Sequence, residues 1–209
     1  MTLPNALTLL RIFFIPLLLA VLLRKPVYLD TPWITLSNQD LALPIFLVAA
    51  LTDLLDGIIA RRRGQISTLG TLLDTVADKL LISAAFISLV ELNRIPAWMV
   101  VIIVGREFAV SGLRSIAAAE GYTIEASELG KTKMTMQVIA VSLLLVGTHS
   151  PILRTLGLLA TWLVVLFAVA SAVDYFRKFW RRVDIRFKVR RRRERLLLSR
   201  KQRKNAAAH

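Results

Sequence analysis

Six apolar stretches, each about 20 residues long, occupy most of the chain: 5–23, 41–60, 69–92, 96–119, 129–148 and 153–176. Each has the length an α-helix needs to cross a hydrocarbon core of about 30 Å. Hydrophobic residues make up 56% of the 209 positions, and the mean hydropathy is +0.60. That is more apolar than a soluble domain of this length carries. The expected architecture is therefore all-α and polytopic, with six transmembrane helices over residues 1–176 and a basic tail over 177–209. Cysteine is absent, so no disulfide framework, thiolate metal site or cysteine nucleophile is available.

Charge is concentrated at one end. Fifteen of the 28 Lys and Arg follow Phe176, opposed only by Asp184 and Glu194, so +13 of the net +14 lies in the tail. A run of this kind directly after a membrane helix reads as a segment lying on anionic lipid rather than as a nucleic-acid arm. Basic residues stay on the cytoplasmic side, so the tail and, with six helices before it, the N-terminus are both expected inside. Arg61, Arg62 and Arg63 then fall in a cytoplasmic loop, while 24–40, 93–95 and 147–152 face outward without a basic cluster. Trp33 and Trp98 are expected at the outer interface, Tyr175 and Trp180 at the inner one. The first apolar run lacks a basic leader, contains Arg11 and shows no small-residue cleavage site before Arg24. It is expected to remain in the mature inner-membrane protein.

Four acids interrupt these runs: Asp53, Asp56, Asp74 and Asp78. A carboxylate inside a membrane helix is costly unless it is paired, metal-bound or faces water. Salt bridging alone does not account for four, because only Arg61, Lys79 and Arg106 lie in or near the spans to balance them. Asp53 and Asp56 are three apart and Asp74 and Asp78 four apart, so each pair shares a helix face. A short connection around 62–68 makes the two helices antiparallel and brings the pairs to similar depths near the cytoplasmic side. Four carboxylates so close cannot all stay ionised without cations. An all-oxygen set without His or Cys suits Mg²⁺ or Mn²⁺. Four carboxylates suffice for two ions, an arrangement suited to displacement at phosphorus. Gly57, Ala60 and Gly70 beside them allow close helix packing, and would equally leave room for a base and a diphosphate. Arg61 is placed to hold a phosphate.

The full string, Asp53-x2-Asp56-Gly57-x2-Ala60-Arg61-x8-Gly70-x3-Asp74-x3-Asp78, resembles the signature of the CDP-alcohol phosphatidyltransferases at all eight positions. The resemblance extends from Pro4 to about Phe176. It implies six transmembrane helices, a cytoplasm-facing site with two metal ions, a CDP-linked lipid donor, release of CMP and, commonly, a homodimer. By that resemblance Asp53, Asp56, Asp74 and Asp78 are metal ligands, and Asp78 is also the general base. Gly57, Ala60, Arg61 and Gly70 line the CDP pocket.

The acceptor alcohol must be read from the second half. Arg106, Arg114, Lys131 and Lys133 place four cations at or above the depth of the aspartates, which suits an acceptor carrying its own phosphate. Singly, Arg106 with Glu107 reads as an internal ion pair, and the two lysines as interfacial anchors. The stretches Arg106-Glu107-x4-Gly112-Leu113-Arg114 and Gly130-Lys131-Thr132-Lys133-x3-Gln137 are similar to the bacterial phosphatidylglycerophosphate synthase branch of the family. Thr75 stands where the family often has Pro, and Met134 where it has Thr. Glycerol 3-phosphate is the acceptor this resemblance implies, with CDP-diacylglycerol as donor. A cardiolipin synthase using phosphatidylglycerol would share every metal residue but would need less binding of a soluble phosphate. Membrane prenyltransferases also use paired aspartates, but with more helices and more widely separated motifs. A channel or lipid-binding scaffold gives no reason for the small residues and Arg61 at these spacings.

Overall fold

The computed structural model describes the backbone of residues 3–24, 29–31, 34–63, 68–121, 129–148 and 150–206. It describes the side chains of 8–24, 37–52, 73, 76–121, 133–148 and 150–181. Six helices follow the apolar runs closely: α1 Leu3–Leu23, α2 Asn38–Arg63, α3 Thr68–Glu91, α4 Ala97–Ala119, α5 Leu129–Val146 and α6 Pro151–Ala206. The all-α class holds, with one small addition. Between α1 and α2 lies a small antiparallel hairpin, β1 Leu29–Thr31 and β2 Ile34–Leu36, with Asp30 opposite Thr35. The β-branched residues Thr31, Ile34 and Thr35 favour extended backbone there.

Local signals mark the helix ends. Ser37 and Asp40 form a reciprocal cap at the start of α2: the Asp40 carboxylate accepts from Ser37 N–H at 2.8 Å and from its hydroxyl at 2.7 Å. The turn after α3 contains Asn93, whose φ of 54° is the left-handed conformation that Asn tolerates best after Gly. Arg94 in that turn donates to Gln39 Oε1 at 3.1 Å and to Thr148 Oγ1 at 3.0 Å. One guanidinium thus ties the start of α2, the α3–α4 turn and the end of α5 together.

The core draws buried residues from all six helices, among them Leu18 of α1, Ile103 of α4, Val141 of α5 and Val164 of α6. On α2, Ala42, Phe46 and Ala49 recur at helical spacing and are fully buried, and on α3 Leu81, Ala85 and Leu89 do the same. The tightest contact joins α5 to α6. A Cβ at Gly147 would stand 2.8 Å from the Arg154 Cα, and one at Gly157 would stand 2.9 Å from the Leu144 side chain. Gly147→Ala therefore pushes backbone against backbone. It is expected to destabilise the fold by about 1–3 kcal/mol, seen as a lower midpoint of thermal unfolding in detergent.

Helix α6 runs unbroken through residue 176, the expected boundary between the membrane domain and the basic tail. After Gly157 it contains no Gly or Pro, and its basic portion is rich in Arg, Lys and Leu, all good helix formers. Its 56 residues far exceed the roughly 20 that a bilayer crossing needs. Among the described residues, Pro151–Arg181 is the segment both long and apolar enough to cross a membrane, and 8–23, 38–52 and 133–146 are shorter apolar helices. Helix α4 has Arg106, Glu107 and Arg114 within its length, which interrupt its apolar run.

Candidate active site

Helix α2 carries Asp53, Asp56, Gly57, Ala60 and Arg61, and α3 carries Gly70, Asp74 and Asp78. The two helices pack against each other, and α1 packs against both. Among the four acids, the Asp78 side chain is described. It is half-buried and within electrostatic reach of Lys79 and Lys133. The side chains of Asp53, Asp56, Asp74, Arg61 and Lys131, and the surroundings of Gly57, Ala60 and Gly70, lie outside the described residues. Helices α2 and α3 hold neither His nor Cys, so the donor set they offer beside Asp78 is all carboxylate. That chemistry fits a hard divalent ion.

The second half of the site is well defined. Glu107 on α4 is its hub. Its carboxylate oxygens both lie 3.3 Å from Arg106 Nη1, and Oε1 pairs with Lys133 Nζ of α5. Gln137, one turn further along α5, donates to the same oxygen at 3.5 Å. From α6, the Ser171 hydroxyl accepts from Arg106 Nη2, and the Arg106 guanidinium carbon sits 5.9 Å from the Tyr175 ring centroid. The Arg106 and Lys133 side chains are each only 8% exposed. Lys133 is thus no interfacial anchor; α5 enters the bundle at that point and takes its ammonium with it. Arg114 lies two turns beyond Arg106 on α4, within electrostatic reach of Lys79. So the packing gathers Arg106 and Lys133 around one carboxylate, with Asp78, Lys79 and Arg114 at the edge of the same group.

Two readings change. Tyr175, expected as an inner-interface anchor, is 3% exposed and turned against Arg106 and α4. Trp98 and Trp180 are exposed, at 46% and 63%, while Trp33 lies outside the described residues. Arg11 had no site role in the sequence, yet its side chain is wholly enclosed on α1, among the helices bearing the aspartates. An arginine so enclosed within an apolar run is a functional candidate on cost alone. Its signal was its presence in an apolar run.

The family profile of the CDP-alcohol phosphatidyltransferases matches residues 1–176. The chain belongs to this family. A Bacillus subtilis CDP-diacylglycerol–glycerol-3-phosphate 3-phosphatidyltransferase is 40% identical over 188 residues, covering 85% of this chain and 95% of the relative. A rice cardiolipin synthase (CMP-forming) is 32% identical over 200 residues, covering 87% of this chain and 58% of the relative. Among solved structures, Mycobacterium tuberculosis phosphatidylinositol phosphate synthase with CDP-DAG bound is 18% identical. It superposes with a TM-score of 0.57 over 86% of this chain and 87% of that one. The same enzyme in complex with manganese and citrate is 19% identical, with a TM-score of 0.57 over 86% and 83%. The fold is therefore that of the family, and the aspartate string of α2 and α3 falls within the matched region.

Proposed function

We propose that the chain transfers the phosphatidyl group of CDP-diacylglycerol to glycerol 3-phosphate, giving phosphatidylglycerophosphate and CMP. The observation that carries this reading is the pairing of Arg106 and Lys133 around Glu107 within reach of Asp78. Two cations sharing one carboxylate retain net positive charge, which suits an acceptor bearing its own phosphate. The 40% identical relative supports the same donor and acceptor. The enzyme is read as a multi-pass protein of the inner membrane with six transmembrane helices, its site and both termini on the cytoplasmic side. Homodimer formation and contact of the basic end of α6 with anionic lipid belong to the same reading.

Asp53, Asp56, Asp74 and Asp78 would hold one or two divalent cations, Mg²⁺ or Mn²⁺. Bound there, such ions supply Lewis-acid chemistry to diphosphate oxygens. The remaining chemistry falls to side chains. Asp78 accepts the proton of the acceptor hydroxyl as that oxygen attacks the phosphorus bearing diacylglycerol. The bond from this phosphorus to the bridging oxygen breaks, and CMP departs with the electron pair. Gly57, Ala60 and Gly70 leave space for the CDP moiety, and Arg61 holds one of its phosphates. Arg106, Arg114, Lys131 and Lys133 hold the acceptor phosphate and orient its hydroxyl, the entropic part of the catalysis.

The deciding assay follows CMP release in detergent micelles containing CDP-diacylglycerol and Mg²⁺, with each acceptor added separately. CMP is expected with glycerol 3-phosphate and not with phosphatidylglycerol. The reverse result would make the chain a cardiolipin synthase like its 32% identical rice relative. No CMP with any alcohol would sink both readings.

A further inference from the structure

Arg106 is gripped from two helices. Glu107 holds Nη1 from its own helix, and α6 supplies both remaining contacts, the Ser171 hydroxyl at Nη2 and the Tyr175 ring beside the guanidinium. Ser171 and Tyr175 are four residues apart, so they stand on one face of α6. They are 2% and 3% exposed, and Tyr175 is packed with Val110 and Ala117 of α4. This face is therefore fixed against the helix that bears Arg106. Arg106 Nε is buried with no hydrogen-bond partner among the described residues. A buried charged donor left unmatched is costly until an oxygen arrives to accept from it.

We propose that Ser171 and Tyr175 are positioning residues that hold Arg106 ready for the acceptor phosphate, and thereby set the affinity for that substrate. This rests on the glycerol 3-phosphate reading above. An arginine side chain loses much rotamer freedom on binding an anion, and pre-ordering it removes that cost from the binding step. Nη1 and Nη2 are already engaged, so the guanidinium plane is set, and Nε remains for the phosphate. Neither Ser171 nor Tyr175 needs to touch substrate. Their effect passes through Arg106 alone.

The test is steady-state CMP release by the full chain in micelles, varying each substrate in turn, for wild type, Ser171→Ala, Tyr175→Leu and Tyr175→Phe. Ser171→Ala and Tyr175→Leu are each expected to raise KM for glycerol 3-phosphate about tenfold, the loss of one contact to a charged group. KM for CDP-diacylglycerol and kcat should stay within about twofold, because uniform binding to the acceptor is what is lost. Tyr175→Phe keeps the ring face that meets the guanidinium and should remain within about twofold of wild type. A structural role would lower kcat and weaken both substrates alike, and that pattern overturns the proposal. An unchanged glycerol 3-phosphate KM in Ser171→Ala, which removes a single oxygen and leaves the fold intact by thermal unfolding, overturns it too. Wild type accepting phosphatidylglycerol alone would bring down the functional reading and the proposal with it. That failure is read on the unmodified enzyme, so the two cannot be confused.

Discussion

Asp78→Asn is expected to reduce CMP release by about 10²–10⁴-fold, the contribution of a positioned general base, with little change in thermal unfolding. The substitution preserves shape and volume but removes both the charge and the basic oxygen. Asp78 is half-buried on α3, with Lys79 and Lys133 in electrostatic reach. The rate comes from its placement against the attacking hydroxyl. Loss should therefore appear in kcat, with the KM for CDP-diacylglycerol less affected. Activity within tenfold of wild type, from a variant shown to be folded, would remove Asp78 from the role of base.

The second large effect is on stability. Glu107→Ala takes the shared carboxylate from Arg106 and Lys133, two cations each only 8% exposed. Breaking a buried pair from one side leaves charge without compensation and costs about 3–5 kcal/mol. Here two charges are stranded by one deletion, so thermal unfolding in detergent should fall well below wild type. Asp174→Ala provides the contrast. Its pair with Lys178, at 2.7 Å, is exposed on both sides, at 40% and 49%. An exposed i,i+4 pair contributes about 0.3–0.5 kcal/mol, so that variant should unfold almost like wild type. Added glycerol 3-phosphate should rescue Glu107→Ala by a larger temperature shift than it gives wild type, because the anion replaces the missing carboxylate. Equal unfolding of the two variants would show that Glu107 does not neutralise the pair.

The candidate residues of this site can be picked out from the sequence. Asp53, Asp56, Asp74 and Asp78 stand out because charge in an apolar run is expensive and rare, and their three- and four-residue spacings already pair them on helix faces. Arg106, Arg114, Lys131 and Lys133 stand out for the same reason. What the runs do not show is how each cation is held. Ser171 is 65 residues from Arg106 in sequence, and Gln137 is 30 from Glu107. Ser and Tyr are ordinary residues near the end of a membrane helix, and an interfacial Tyr is the common case. Only the approach of α6 to α4 turns Tyr175 inward.

The basic segment makes the same point from the other side. Its charge is plain in composition, but its continuity with α6 depends on the absence of any breaker between Gly157 and Ala206. The apolar run stops at Phe176, but a helix needs no apolar residues to continue past that boundary.

The sequence by itself determined the number of helices, nearly all their ends, and the two helices on which the acids lie. These follow from local composition, capping residues and the 3.6-residue period, which each segment expresses without reference to the others. Tertiary structure alone decided the company of each charge: Lys133 drawn inward to Glu107, Arg106 set between Glu107 and α6, and Arg11 enclosed on α1. A single charge in an apolar helix says that it must be compensated, but its partner depends on which helix faces meet. That is settled by close packing of shapes such as Gly147 against Arg154 and Gly157 against Leu144, which no one segment contains.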